Sequence, residues 1–539
     1  MRIALAQMNT FLGAFAENRQ RILDFVNEAV EKHCDLIVFP ELALFGYLPG
    51  DLLERRSVFR AQWQEFRKLE KQIPAGISVL VGLVVENKNI KGKPYYNSAA
   101  LIKRGAKTRF FHKELLPNYD IFDDSRFFEP GKNIDNIVNI KGYKTLITLC
   151  EDIWGWGQDL ENANYRRNPL KAASREGVDL VLNLSASPFS IGHSKRRKQV
   201  VKKTATLFRA PIVYVNMVGG QDELVFDGGS FAVDEKGRTI AQSVYFKEDL
   251  NVVDLKKNVG GIRSIEKEDI ANVYGALVLG TRSFIHKIGF KKAHLGLSGG
   301  IDSAIVACIA VDALGPQNVT LIALPGPYSS AESYRLAKRL AENLGCQFLK
   351  LTIDPVYKKM VQVLDQSFGK SSFGLVHENL QSRLRGLTLM AYSNRESSIL
   401  LTTGNKSEYA TGYSTLYGDM SGALAPIGDL LKTQVFALAR YINHEHEVIP
   451  ERIIQRPPTA ELRENQIDQD SLPSYKVLDA AIESICVNRH AAKTKTEKWL
   501  LKQMARMEFK RWQSPPILRV SIRAFGRGRR YPIAHKALF

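Results

Sequence analysis

The chain has 539 residues, 45% of them hydrophobic and 24% charged. That length exceeds what one hydrophobic core organises, so two large domains are expected. The composition is that of an ordinary globular protein, and no apolar run approaches the roughly 18–20 residues of a membrane span.

A net charge of +19 raises the question of a polyanionic partner. The basic residues gather in "SKRRKQVVKK", "KTKTEKWLLK" and the tail "FGRGRRYPIAHK", none with the interleaved aromatics of a single-strand groove. Anionic small ligands suit this distribution better, and neither a nucleic acid nor a membrane is expected as partner. The start, "MRIALAQMNT", lacks the apolar core and cleavage site of a signal peptide and reads as a first strand. Cys34, Cys150, Cys308, Cys346 and Cys486 are too few and too scattered for a disulfide framework or a zinc site. A reducing, cytoplasmic setting is expected.

From residue 1 to about 255, short apolar runs ("RIALAQM", "DLIVFP", "ISVLVGLVV", "YKTLITL", "VDLVLNLS", "PIVYVNMV") predict strands buried on both faces. Amphipathic stretches such as "ENRQRILDFVNEAVEKH" lie between several of them. "FAVDEKGRTIAQSV" predicts a hairpin turning at 234–237. The charged, glycine-containing stretch 256–270 is the expected boundary. From 271 to 539 strands and helices alternate again: "AHLGLS", a helix from Ser303, "VTLIALP", a helix in "SAESYRLAKRLAENLG", "CQFLKLTI", a helix around 380–393, then "SSILLTTG". This order predicts a parallel, doubly wound sheet with ligands at the strand C-termini.

In "HLGLSGGIDSAIV" a strand runs through Ser298, Gly299, Gly300, Ile301, Asp302 and Ser303 into a helix. Glycines and a helix N-terminus suit an anion. The lysine that ends a Walker loop is missing. The order SGGxDS after a strand resembles the pyrophosphate loop of the N-type ATP pyrophosphatases, which implies that ATP is bound at Gly296, Leu297 and 298–303, with Asp302 on Mg²⁺. The loop alone leaves GMP, asparagine, argininosuccinate and NAD synthetases and tRNA-thiolating enzymes open.

Three more segments, "HENLQSRLRG", "LTTGNKSEYATGYSTLYGD" and "APIGDLLKTQVFALA", resemble the NAD synthetase pattern. The resemblance implies deamido-NAD contacts from Asn379, Glu408 and Lys510, an ATP contact from Thr403, and a metal role for Glu408 beside Asp302. Arg383 and Arg385 add planar forks suited to phosphate or carboxylate.

In the first half, three apolar runs end on a carboxylate, an ammonium and a thiol: Glu41, Lys113 and Cys150. A carboxylate can take the thiol proton, and an ammonium favours thiolate and oxyanion. The three segments resemble the Glu-Lys-Cys triad of the nitrilase and amidase superfamily, which implies an α-β-β-α sandwich. It also implies glutamine contacts from Tyr119, Ser187 and position 193, where the family expects lysine and this chain has His193, with Lys195 two residues on. Glu114 is the adjacent candidate for an acid that orients Lys113.

Both halves in this order resemble the glutamine-dependent NAD synthetases over nearly the whole chain. The resemblance implies L-glutamine, deamido-NAD and ATP as substrates, a passage for ammonia between two sites, and a homo-oligomer, at least a dimer. An amidotransferase of the same ATP class with another acceptor is the alternative, and a nucleic-acid-binding protein, suggested by charge alone, is the other.

Overall fold

The computed structural model describes every residue except 90, 157–164, 166, 167, 267, 536, 538 and 539. It divides into two compact units, Met1–Lys267 and Glu268–Phe539. Among the described residues no helix is long and apolar enough to cross a membrane.

The first unit is built on two sheets. One has seven strands in the order Val259–Gly260, Asp249–Asp254, Arg2–Gln7, Leu36–Val38, Ser78–Glu86, Tyr95–Lys103 and Arg109–His112. The other has six, Thr239–Gln242, Phe231–Val233, Ile212–Asn216, Leu180–Ser185, Tyr143–Leu149 and Ile137–Ile140. Side-chain alternation explains why the runs are continuously apolar. Ile3, Leu5, Leu36 and Val38 meet Ile147, Leu149, Leu182 and Val213 of the opposite sheet. Ala4, Ile37, Val79 and Val81 turn the other way, onto Ile22 and Val26 of helix Phe15–Glu31 and Phe66 and Leu69 of helix Arg56–Gln72. On the far side Leu146, Val181 and Ile212 pack on Val200, Val201 and Ala205 of helix His193–Phe208. The result is the expected α-β-β-α sandwich. Each inter-sheet leucine contributes about 2–5 kcal/mol against truncation to alanine.

The hairpin turn falls where the sequence puts it, with Asp234 N donating to Arg238 O at 2.9 Å. Within the stretch read as a boundary, Val259–Gly260 adds an edge strand to the first sheet, pairing antiparallel with Val253 and Asp254. Helix Asp269–Lys287 then opens the second unit.

The second unit holds a four-stranded parallel sheet in the order Gln347–Lys350, Val319–Ala323, Ala293–Gly296, Ile399–Leu400. Chain direction across the sheet reverses beside Ala293–Gly296, because the fourth strand joins on the side away from the second and third. That is the switch point at which such sheets bind ligands. Helix Ile301–Leu314 is apolar around most of its surface, burying Ile305, Val306 and Ile309, with Asp302 at its start and Asp312 near its end as its acids, the pattern of a helix largely enclosed by neighbours. It starts two residues before the expected Ser303. The helix expected around 380–393 spans Leu375–Glu396.

Candidate active sites

In the first unit, Glu41 lies three residues past strand Leu36–Val38, Lys113 follows strand Arg109–His112, and Cys150 follows strand Tyr143–Leu149. The backbone around Glu41 rides on the neighbouring strand at Gly82. A Cβ there would lie 2.3 Å from Leu42 N and 2.5 Å from Pro40 O, so only glycine permits this approach.

Lys113 Nζ donates to Glu41 Oε1 at 2.7 Å and to Asp124 Oδ2 at 2.8 Å, all three side chains being fully buried. Asn97 Nδ2 donates to the same Glu41 oxygen at 2.7 Å, and Ala186 N to Oε2 at 3.2 Å. The expected partner Glu114 instead accepts from Asn133 N. Asp124, eleven residues along the chain, is the acid that orients Lys113.

Cys150 has φ +38° and begins a 3₁₀ turn, Cys150–Trp154. A non-glycine residue there costs about 1–3 kcal/mol, which the surroundings must offset. Asp152 does so: Oδ2 accepts from Leu149 N at 2.9 Å, and Oδ1 from Leu115 N at 2.8 Å and Glu114 N at 3.0 Å. One carboxylate thus ties the cysteine turn to the segment after Lys113. Burial and the Glu41 charge push the Cys150 thiol well above its ordinary pKa, while Lys113 pulls it down. The sulfur therefore rests protonated and needs a base when it attacks.

The predicted glutamine contacts gather at the same place. Tyr119 OH donates to Glu151 Oε1 at 3.0 Å, and Tyr165 OH to the same oxygen at 2.8 Å. Burial pushes the Glu151 carboxyl up to about 7. Ser187 Oγ lies 3.0 Å from His193 Nε2, and the His193 ring stacks on Trp154 at 5.2 Å between centroids. Desolvation, with Arg197 and Arg196 nearby, lowers His193 to about 3, so it stands neutral where the family expects a cation.

In the second unit a cavity of about 450 Å³ opens at the switch point. It is lined by Gly296, Leu297, Ser298, Gly300, Ile301, Asp302 and Ser303 from one strand end and by Thr403 and Glu408 from the segment past the last strand. Asn379 and Lys510 also line it. Gly299 has φ +77°, and a Cβ there would lie 2.3 Å from Ser333 O. Its own carbonyl accepts from Arg456 Nη2 at 2.7 Å. Ser303 Oγ donates to Gly300 O at 3.0 Å and closes the loop. Of the two arginines singled out, Arg385 lines the cavity, its Nε donating to Leu324 O at 3.0 Å. Arg383 donates to Leu416 O and is exposed.

Asp302 Oδ1 accepts from Asn405 Nδ2 at 2.9 Å and Oδ2 from Lys432 Nζ at 2.5 Å. Glu408 Oε1 lies 3.7 Å from the same ammonium. Asn405 caps the short helix Lys406–Thr411, accepting from Glu408 N, while Glu408 Oε2 accepts from Asn405 N. This reciprocal cap fixes where Glu408 points. Burial and the Asp302 charge push the Glu408 carboxyl up to about 8. Asn379 Oδ1 accepts from Thr415 Oγ1 at 2.8 Å, and Lys510 Nζ donates to Gly412 O and Ser414 O.

Sequence reasoning missed Asp124, Glu151 and Asp152 in the first unit and Asn405, Lys432 and Arg456 in the second. Glu151 and Asp152 directly follow Cys150, and Asn405 and Lys432 lie inside segments already singled out. Asp124 and Arg456 carry no local signal.

An acid–ammonium–thiol cluster on an α-β-β-α sandwich defines a carbon–nitrogen hydrolase, and a lysine-free phosphate loop at a parallel-sheet switch point defines an adenylating unit. Comparison with known proteins agrees for both halves: residues 2–264 match the carbon-nitrogen hydrolase family and residues 268–514 the NAD synthase family. The glutamine-dependent NAD(+) synthetase of a Synechocystis species is 44% identical over 553 residues, covering 99% of this chain and 98% of its own. That of Thermotoga maritima is 37% identical and covers 99% of each. The solved structure of the Acinetobacter baumannii enzyme in complex with adenosine diphosphate superposes with a TM-score of 0.78 at 36% identity, covering 99% of this chain and 98% of that one. The chain belongs to the glutamine-dependent NAD(+) synthetases.

Proposed function

We propose that the chain converts deamido-NAD to NAD(+) with ATP, using nitrogen released from L-glutamine, in two separate sites. The observation that carries this is the pairing, in one chain, of a buried Glu41–Lys113–Asp124 cluster beside Cys150 with a nucleotide-sized cavity at the loop 298–303.

In the first site Glu41 takes the Cys150 proton as sulfur attacks the glutamine side-chain amide. Lys113 steadies the negative charge that develops on the amide oxygen. The proton passes to the leaving nitrogen, ammonia departs, and water releases glutamate from the thioester. Tyr119, Ser187 and His193 hold the glutamine, with Glu151 behind Tyr119. We assign glutamine hydrolysis to residues 1–255 and synthesis to 271–539, with the connection 256–270 lending the edge strand Val259–Gly260 to the first unit.

In the second site the nicotinate carboxylate attacks the α-phosphorus of ATP and pyrophosphate leaves. Ammonia then adds to the activated carbonyl and AMP departs. The loop 298–303 and Thr403 hold the ATP, and Asn379, Glu408 and Lys510 hold the dinucleotide. Asp302 and Glu408 fit Mg²⁺. They are hard oxygen donors facing one cavity, and the burial and Asp302 charge that together lift Glu408 are costs a divalent cation would offset. Among the described residues no cluster of three acids, cysteines or histidines is arranged to hold a metal, so phosphate and water would complete the set. When bound, Mg²⁺ would neutralise charge on the leaving pyrophosphate. Sparse, unpaired cysteines support a cytoplasmic location, and family resemblance supports a homo-oligomer.

The test is stoichiometry with purified protein. One NAD(+), AMP, pyrophosphate and glutamate should form per deamido-NAD consumed. Amidation of a different acceptor, with deamido-NAD ignored, favours the alternative amidotransferase.

A further inference from the structure

Lys432 has no task in the reaction as described. Yet it is 99% buried by a built environment. Its backbone N–H donates to Ser407 Oγ at 2.9 Å, next to Glu408. The following N–H, of Thr433, donates to Asp479 Oδ2 at 2.8 Å. The ammonium lies 5.3 Å from the Tyr475 ring centroid, and Tyr475 OH in turn donates to Asp468 at 2.6 Å. Three observations therefore converge. Lysine, aspartate and glutamate line the same cavity. The ammonium touches Asp302 and faces Glu408. Its helix start is anchored, so the charge is placed rather than free to swing into solvent.

We infer that Lys432 is a specificity-determining residue that makes the Asp302–Glu408 pair accept a divalent cation together with a nucleotide polyphosphate and disfavour the cation alone. The inference rests on the reading of Asp302 and Glu408 as the metal-holding pair. A bare cation entering the cavity meets Asp302 and Glu408, with Asp468 behind them held by Tyr475 OH, and it is opposed by a fixed ammonium in contact with Asp302 and 3.7 Å from Glu408. Like charges at that range repel strongly where water is scarce. A cation carried on a polyphosphate brings excess negative charge with it. The same ammonium then attracts the incoming complex, and its donors can turn to phosphate oxygens. One lysine thus penalises one form of the metal and favours the other, which is how a site discriminates by repulsion as well as attraction. It also keeps the two carboxylates together while no ligand is present.

The experiment titrates the full-length protein with Mn²⁺, read by electron spin resonance, without nucleotide and with α,β-methylene-ATP, which cannot lose pyrophosphate. Lys432→Met and Lys432→Gln remove the charge; Lys432→Arg keeps it. We expect weak nucleotide-free Mn²⁺ binding by the natural protein and by Lys432→Arg. Both neutral variants should bind Mn²⁺ alone about tenfold more tightly or better, and lose a similar factor of nucleotide-dependent strengthening. Unchanged or weaker nucleotide-free binding in the neutral variants overturns the inference. So does natural protein that binds Mn²⁺ equally well with and without nucleotide, a result that needs no variant to fold. Adding Asp302→Asn separates the two layers. If Mn²⁺ binding in the presence of nucleotide is indifferent to Asp302→Asn, the metal reading of Asp302 fails. If binding depends on Asp302 but not on the charge at 432, only the present inference fails.

Discussion

Each unit buries an ammonium between two carboxylates, and the two arrangements differ in what surrounds them. Lys113 sits at 2.7 and 2.8 Å from Glu41 and Asp124, with all three side chains out of reach of water. Lys432 sits close to Asp302 but 3.7 Å from Glu408, and both carboxylates keep 17–19% side-chain exposure on a cavity. The first cluster is closed, and its charges are complete before substrate arrives. A reaction in which sulfur attacks a neutral amide suits that, because its charge develops within the site and preorganised groups meet it. The second is open, and its carboxylates are unevenly satisfied. A reaction that brings a polyphosphate and its counter-ion into the site needs unspent charge. The difference is one of exposure: the same trio of groups is sealed in the first unit and open to a cavity in the second, which suits the fixed catalysis and the ligand capture proposed for them.

The comparison breaks first if the two sites are not separable. Cys150→Ala should abolish NAD(+) formation from glutamine, by a factor of about 10³ or more, while formation from ammonium salts survives. Persistence of the glutamine-dependent reaction removes Cys150 from the nucleophile's role. Asp302→Ala should abolish synthesis from either nitrogen source, with glutamate release continuing at some rate. Retained synthesis would take Asp302 out of the second site. These two variants have opposite signatures, and a protein with one shared site could not produce both.

Lys113→Met tests the sealed character of the first cluster. It leaves two carboxylates buried without their cation, and breaking a buried pair from one side costs about 3–5 kcal/mol. We expect a fall of that order in unfolding free energy as well as loss of glutaminase activity. A stability change under about 1 kcal/mol would mean that water reaches Glu41 and Asp124 and that the cluster is not closed.

The parts of this arrangement that were legible in the sequence share a physical cause. Strands buried on both faces write continuous apolar runs, so Glu41, Lys113 and Cys150 could be seen as strand-end residues before any fold was known. Ser298, Gly299 and Gly300 could be seen as a loop because a strand and a helix flank them. What stayed hidden depends on long-range folding. Asp124 is one of three aspartates at 120, 123 and 124, and the turn in which Phe122 N donates to Tyr119 O and Asp124 N to Pro117 O decides which one returns to Lys113. Lys432 meets Asp302 across 130 residues, and a lysine at a helix start reads as solvated unless its partner is known. Two-residue strands such as Val259–Gly260 are too short to show a period.

The smallest expected effect concerns the neutral histidine at the edge of the closed cluster. His193 has a pKa near 3 in the fold, against 6.5 in the unfolded chain. As pH falls through about 6.5 the unfolded chain takes up this proton first, so stability is full above that pH and is lost progressively as pH falls toward 3. Because His193 keeps a partly exposed edge, the loss at pH 5 is set at about 1–2 kcal/mol rather than the full value of the shift. His193→Asn retains a neutral hydrogen-bonding group beside Ser187 and removes the titration. Denaturant unfolding at pH 7.5 and pH 5.0 should show a difference smaller by that amount in the variant. A residual slope should remain, because burial also lowers His112 and His294 to about 4. Equal slopes in the two proteins would mean that the fold leaves His193 near 6.5, taking up its proton as readily as the unfolded chain does. The first site would then gain a second cation near Cys150 below that pH, and there its contrast with the open site around Lys432 would rest on exposure alone rather than on charge.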